Sequence, residues 1–546
     1  MTAAVWGSRS LRRCCNATAV PALLLALSLC GCVPNARILS IAEQKPIDRS
    51  LVEVPAGYNL QRFVTGLTAP TAHAFDADGS LLIAEGERDD EVRIIGFRKD
   101  GAPFNVWPQE KQLLFGFSTP GSWRMYGPVG GMVCYQGNIF VSHRDADGMG
   151  VITALDYHGH HKTIVAGLPA QGDYGVTDLA ISPTKRRLYF GVGTATNSGV
   201  VGLDNWAWVR KYPLVHDQPW QAEPWRDVAL LGYRFDSTNP LSGMFGPSDL
   251  AVTAFDQAFN HSNQTRVRAA NGPDGTNKPN GAIYWVSPDG GFPTVEAHGI
   301  HNPRGLAINE FDSIYFTNGG MEMRGTRPVK DDPDALLRLL TGTWYGWPDY
   351  TADLQSVSEP RFQPPQELLA RGGYPELRPG IDMESSHLSD PSRNRDILLQ
   401  AAFPSLSGAS RIDVVPSDGP FKEFRRNVIV ALRGDRAPFA TSGRPLADLP
   451  GYKVVRVDPA THQVRDFIRN TAGKPRSQAG GNISLLERPI DPKFGPDGSL
   501  YILDFGQMEM RGSEEHVIPG TGQIFRLVPV SDTPVIPANR AGVEVR

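Results

Sequence analysis

Apolar and polar positions alternate along this chain in short runs, and the runs come in pairs separated by a turn built on Asp, Gly or Pro. The segments "NPRGLAINEFDSIYFTNGG" and "RPIDPKFGPDGSLYILDFG" show the pattern: an alternating run, a tight turn, then a second apolar run. This predicts a strand, turn, strand unit. Units of the same kind place their second strands around Leu81, Ile139, Leu188, Ile314, Val428 and Leu500. Each is followed by a further strand-like segment, in order "EVRIIGF", "GVITALDYHGHHKTIV", "GAIYWVSPDG", "ALLRLL", "YKVVRVDPATHQVRDFI" and "GQIFRLVPV". Six such units predict an all-β chain folded as a six-bladed β-propeller, in which neighbouring blades cover the faces that no blade can bury alone. The predicted propeller spans 54–530, with a long loop insertion from about Asn197 to Asn280 and a tail over 531–546.

The pentapeptide Met-Glu-Met-Arg-Gly occurs twice, from Met321 and from Met508. Each copy follows the second strand of a unit, so pseudo-symmetry predicts equivalent loops on one face of the ring, in blades four and six. Two readings stay open. Glu322 with Arg324, and Glu509 with Arg511, form local ion pairs on the rim; or the two arginines line the mouth of a central pocket and hold a ligand there.

With 40 % apolar residues the chain can build a large core, and Gly 57 and Pro 45 suit many turns. A formal net charge of -4, with no basic stripe, argues against nucleic acid. The N-terminus reads separately. Arg9, Arg12 and Arg13 precede "AVPALLLALSLCGC", an apolar run that suits a signal peptide. Its end, Leu29-Cys30-Gly31-Cys32, resembles a bacterial lipobox, which implies a signal over 1–31, a lipid anchor on Cys32 and a linker over 32–53. The expected location is the cell envelope, facing the periplasm, and Val33 after the cysteine resembles outer-membrane sorting. An ordinary secretory peptide cleaved nearby is the alternative. Once the signal is gone and Cys32 is lipidated, Cys134 alone remains and no internal disulfide is expected.

Four pieces carry a resemblance to a known family: "GIHNPRGLAI" from Gly299, "YGWPD" from Tyr345, "GDYGVTDLAISP" from Gly172 and "FGPDGSLYILD". From about Val54 to Val528 the chain resembles the soluble glucose dehydrogenases that depend on pyrroloquinoline quinone (PQQ), and the related sorbosone dehydrogenases. The resemblance implies a propeller that oxidises a sugar with bound PQQ and Ca²⁺ and passes the electrons to an external acceptor. In that chemistry a histidine takes the hydroxyl proton while hydride goes to the quinone, which a metal and an arginine polarise.

Residue by residue, the carry-over is partial. Tyr174 stands where the family has its catalytic histidine, and a tyrosine is a poor base near neutrality; Asp173 is either a base in its place or an Asp that stabilises a turn. In His301-Asn302-Pro303 the asparagine matches a quinone-binding residue, and His301 replaces the family's arginine. His301 is either a relocated base or a hydrogen-bonded loop residue, while Arg304 can supply the missing cation. Arg433 sits where the family has a lysine for a cofactor carboxylate, a change that favours bidentate binding. Arg488 matches the first of two family arginines, and the second falls on Ile490. The resemblance implies that the carbonyls of Gly319 and Gly320 and the acid Asp334 hold calcium, although the next family acid is Ala335 here.

Asn197 and Trp206, at the start of the insertion, are candidates for facing a sugar, and the insertion's tryptophans either stack on carbohydrate or close the insertion against the blades. The tract "HGHH" from His158 is either a metal tract or a solvated turn. Besides the dehydrogenase, two readings remain open: an envelope propeller that binds carbohydrate or protein without catalysis, and a calcium-dependent lactonase, which needs several carboxylates converging on the axis.

Overall fold

The computed structural model describes residues 36–86, 90–108, 123–223, 226–238, 249–257, 264–270, 278–369 and 376–530. The signal, Cys32 and the tail over 531–546 lie outside these residues.

Six blades are present, and the predicted second strands are Leu81–Glu85, Asn138–Arg144, Arg187–Val192, Ile314–Asn318, Val428–Leu432 and Leu500–Asp504. The innermost strands are Pro70–Phe75, Tyr126–Tyr135, Val176–Ser182, Pro303–Ile308, Ala409–Val414 and Pro489–Phe494. Each packs beside the next around the axis, and the sixth packs beside the first. Blade six is closed by the N-terminal part of the chain: Tyr58–Leu67 pairs antiparallel with Gly522–Pro529. This closure removes two free edges at once. The segment read as a linker is stitched down as well, Arg37–Ile38 onto Tyr58–Leu67 and Val52–Glu53 onto Gln463–Asn470.

Two long segments interrupt the blades. The predicted insertion lies between the second and third strands of blade three, before Ala282–Val286. A second, unforeseen one runs from the third strand of blade four, Pro333–Arg338, to its fourth, Leu399–Ser405. The two pack together, with Phe255 edge-on to Trp347 and Leu230 bridged to Ile381. Trp208 is buried beneath Arg144, and Trp220 lies edge-on to His298, so these tryptophans close the insertion against the blades. The "HGHH" tract turns at the surface, where His160 Nδ1 lies 2.7 Å from Asp156, and ends in His161, which opens the strand His161–Leu168 and stacks on Trp123.

The inner strands converge so closely that some positions have no room for a side chain. A Cβ on Gly131 would stand 2.6 Å from the Leu179 nitrogen, and one on Gly305 would stand 2.6 Å from the Ser410 carbonyl. Where the strands come nearest to the axis, charged side chains fill the channel. Arg411 reaches from blade five across to the carbonyls of Thr71, Val129 and Gly130 in blades one and two. Its guanidinium lies 3.4 Å from Asp178 in blade three and 3.9 Å from Asp491 in blade six. Asp491 in turn lies 3.1 Å from His73 Nδ1 and 3.8 Å from Lys493. Burial pushes the Asp178 carboxyl up against the pull of Lys493 and Arg411. Asp491 is held low despite its burial, because Lys493 and His73 outweigh the loss of water.

Removing the arginine leaves two buried carboxylates short of their partner. The Arg411→Met variant is expected to lose about 3–5 kcal/mol of stability in denaturant unfolding, and a loss under about 1 kcal/mol would show that the axial ions are not coupled.

Candidate functional site

Arg411 divides the channel. The leading ends of the inner strands line a cavity of about 390 Å³ on one side of it, and their trailing halves line a second of about 240 Å³ on the other. The larger one carries the chemistry the sequence pointed to. Tyr174, Asp173, Asn302, Arg304 and Arg433 all stand in its wall, joined by Arg436, Glu514, Glu515 and His516.

The cations are arranged in two layers. The deeper one is built on Arg324, which is 2 % exposed and holds three carboxylates: Asp173 at 2.6 Å, Asp204 at 2.5 Å and Glu322 at 2.5 Å. Burial works against the Glu322 carboxylate, but Arg324 and Arg436 outweigh it and hold it at about 2. For Asp204 burial wins, and its carboxyl is pushed up to about 6. The outer layer is Arg304, Arg433 and Arg436, which face Glu515. Its carboxylate takes Arg433 through two contacts, 3.0 Å at Nη1 and 2.5 Å at Nη2, and lies 3.4 Å from Arg436 Nε. Burial opposes the charge on Glu515, yet Arg433 and Arg436 hold its carboxyl well below the usual range.

Arg304 is different. Its guanidinium makes no hydrogen bond or ion pair to the described residues, and burial, then the repulsion of Arg433 and Arg436, lowers its proton affinity. The Nε atoms of Arg433 and Arg436 are also buried without a hydrogen-bond partner among the described residues. Arg304 is half-buried, and a cation so placed without an acid of its own is stabilised when a ligand supplies the counter-charge. The wall therefore suits an anion, and the donors are those that grip planar carboxylates.

Several sequence-predicted residues do other work. His301 is not in the cavity wall: its Nδ1–H donates to the Gly319 carbonyl at 2.7 Å, and its ring lies edge-on to Tyr174, 4.7 Å away. Burial lowers its pKa to about 4, so it is neutral at pH 7. Burial moves the Tyr174 hydroxyl the opposite way, well above its ordinary value, so it acts at neutral pH as a hydrogen-bond donor and not as a base. Asn197 clamps the loop of the first repeat copy, accepting from the Glu322 N–H and donating to its carbonyl, both at 2.7 Å. Arg488 lies under the Arg433 loop, where Nη1 donates to the Asp435 carbonyl at 2.9 Å. Ile490, where the resemblance implies an arginine, is part of the wall.

The repeat is therefore not symmetric in use. Arg324 is buried, whereas Arg511 is exposed on a hairpin, Met508–Arg511 paired with Glu514–Val517, and is 3.2 Å from Glu509. The bland reading holds for the second copy. In the first the ion pair is a buried hub.

The residues expected to hold calcium are already engaged. Asp334 accepts from the Gly320 N–H at 2.8 Å, the Ser407 hydroxyl at 2.8 Å and the Ala409 N–H at 2.9 Å, and the Gly319 carbonyl accepts from His301. Among the described residues no group of three or more His, Cys, Asp or Glu could hold a metal. This donor set does not fit calcium, because its oxygens are spent on strand ends. Sequence reasoning missed Arg436, Glu515, His516 and Arg411. Arg436 stands three positions after Arg433, a proximity that could have flagged it, whereas nothing in the local pattern marks Glu515.

Fold and cavity together define a class: a six-bladed propeller whose channel carries an arginine-walled cavity at one end. No protein-family profile and no curated protein matches the chain. Solved structures are similar in fold at low identity. The holo form of the PQQ domain of pyranose dehydrogenase from Coprinopsis cinerea is 13 % identical with a TM-score of 0.48, over 88 % of this chain and 98 % of that one. A calcium structure of a Trichoderma reesei carbohydrate-active enzyme is 14 % identical with a TM-score of 0.49, over 89 % and 99 %. The PQQ-bound aldose sugar dehydrogenase of Streptomyces coelicolor is 14 % identical with a TM-score of 0.42, over 87 % and 100 %.

A histidine buried in its neutral form makes folding sensitive to acid. Below the ordinary value near 6.5 the unfolded chain takes up a proton that native His301 refuses until about pH 4, so stability is lost as pH falls through that window. The contribution is roughly 3 kcal/mol. Unfolding of His301→Gln in urea is expected to show a shallower decline between pH 6.5 and 4 than the parent; equal slopes would mean that His301 is not held neutral.

Proposed function

We propose that the chain is a quinoprotein oxidoreductase of the sugar-dehydrogenase kind, with PQQ in the arginine-walled cavity and a sugar as electron donor. One observation carries the reading: Arg304 stands half-buried in the wall with no ion pair to the described residues, beside Arg433 and Arg436, whose buried Nε atoms have no hydrogen-bond partner among them. PQQ is a planar tricarboxylate, so its charge and shape suit three guanidiniums in a cavity of ordinary ligand size. When bound, it would supply the two-electron acceptor. Arg304, Arg433 and Arg436 would orient it, and Asn302 lies in the same wall. The Tyr174 hydroxyl, kept protonated by its burial, accepts from Arg324 Nη2 at 3.5 Å and would donate its own proton in a hydrogen bond to a bound ligand. Asp173, fixed through Oδ2 by Arg324, is the wall carboxylate we assign to take the sugar's hydroxyl proton. No step is assigned to calcium.

A second reading is a propeller that binds an acidic carbohydrate without oxidising it. It draws on Tyr174, which stands where the resemblance implies a catalytic histidine, and on His301, which lies behind that ring. The envelope location belongs to the same proposal and rests on the lipobox at Cys32.

Titrating the purified protein with PQQ, while following cofactor absorbance and thermal unfolding, is expected to show saturable binding and stabilisation of about 2.7 kcal/mol at a hundredfold excess over Kd. Reduction of the bound cofactor on adding an aldose separates the oxidoreductase from the binding propeller. The Arg304→Ala variant is expected to bind PQQ roughly 10- to 100-fold more weakly. Absence of any absorbance change and of stabilisation would sink the proposal. For the anchor, cells given labelled palmitate are expected to incorporate it into the full chain and not into Cys32→Ser; equal labelling would place the lipid elsewhere.

A further inference from the structure

The hairpin formed by Met508–Arg511 and Glu514–Val517 is a two-stranded sheet of its own, outside the ladder of blade six. It leaves the second strand of that blade and returns to the third, Gly522–Pro529, so the propeller does not need it for closure. One side faces solvent, where Glu509 and Arg511 are more than half exposed. The returning strand borders the arginine cavity: Glu515 and Val517 lie on the face turned away from Glu509 and Arg511, while Glu514 and His516 pair with those two and share their exposed face. The flap is tied to the ring by ions and by an apolar foot, where buried Val517 joins the core shared by blades one and six and Met508 packs against it. Glu515 grips Arg433 with both oxygens and lies close to Arg436, and Met508 Sδ is 3.2 Å from Arg433 Nη2.

We propose that the hairpin is a lid latched by Glu515, and that its carboxylate is an internal stand-in for an acidic group of the ligand. It occupies the fork geometry that a ligand carboxylate would use. Arg433 and Arg436 stay paired in both states, with Glu515 when the lid is shut and with the ligand when it is displaced, so neither state leaves buried guanidiniums bare. That balance is what permits a bistable element. Arg304, which Glu515 does not engage, is the cation left open to receive the incoming anion first. The chemistry selected is a compact polycarboxylate: one acid for Arg304 and another able to compete with Glu515. This inference rests on the proposed function for the identity of that ligand as PQQ, but not for the latch itself.

A closed latch weakens apparent affinity by the fraction of time it is shut. Binding of citrate and of PQQ to the full chain is measured by calorimetry for the parent, Glu515→Gln and Glu514→Gln. The control residue lies on the same strand, beside Glu515 at the exposed edge of the cavity, and makes no ion pair with the arginines. The latch predicts affinity at least about tenfold tighter in Glu515→Gln alone. Comparable tightening of both variants would assign the effect to net charge and overturn the latch, and equal or weaker binding by Glu515→Gln would also overturn the proposal. Hydrogen exchange on the parent is the second readout, and it decides alone where Glu515→Gln does not fold: the Glu514–Val517 amides are expected to exchange faster with citrate or PQQ bound, and slower exchange would overturn the latch. Citrate tightened by Glu515→Gln, with no protein binding PQQ, keeps the latch and removes the proposed function. PQQ bound equally by all three, with the hairpin protected, does the reverse.

Discussion

Everything in this molecule is arranged around the ions that Arg411 gathers on the propeller axis. Six inner strands that converge leave too little space for a hydrophobic core at the centre, and too much to be left empty. One guanidinium, reaching three carbonyls and two carboxylates on four other blades, fills that space and joins the blades electrostatically. Buried charges of this kind hold a structure together only when every member has its counterpart. The glycines beside the network, Gly131 and Gly305, let the strands come close enough for those contacts to be made.

The same constraint explains the site. With the channel blocked by Arg411, a ligand entering from one end meets a closed chamber, and the residues that follow the axial ions along the chain become its wall. Charge is then separated by depth. Arg324 takes three acids, which leaves Arg433 and Arg436 to share Glu515 and Arg304 without an ion pair to the described residues. Arg436 couples the layers through Glu322, 3.8 Å away. An anion is thus attracted to the unpaired guanidinium, while Asp173 alone of Arg324's acids reaches the wall; Tyr174, edge-on to neutral His301, stands 3.5 Å from Arg324.

Much of the fold was legible because strand pairs separated by tight turns leave a local signature. All six units and their third strands were placed by alternation and by Asp, Gly and Pro. The closing strand, Tyr58–Leu67, was missed because its partner lies at the other end of the chain, and nothing local reveals such a pairing. The insertion in blade four escaped for a related reason: "YGWPD" reads as a motif, while its burial depends on a second insertion distant in sequence. At the site, Asn302, Arg304, Arg433, Tyr174 and Asp173 were found through motifs. Arg488 and Asn197 were misassigned because a matched position does not say where a long or forked side chain points.

The sequence by itself determined the number of blades and their order, because each follows from spacing a few residues wide. It also determined the inventory of charge. Only the tertiary structure decided which charges meet: that Arg324 is neutralised while its twin Arg511 stands in solvent, that Asp334 caps strand ends instead of holding a metal, and that Glu515 lies on Arg433. The physical reason is that ion pairs in low dielectric depend on distance and burial across blades, and two identical pentapeptides carry no record of what their neighbours will be.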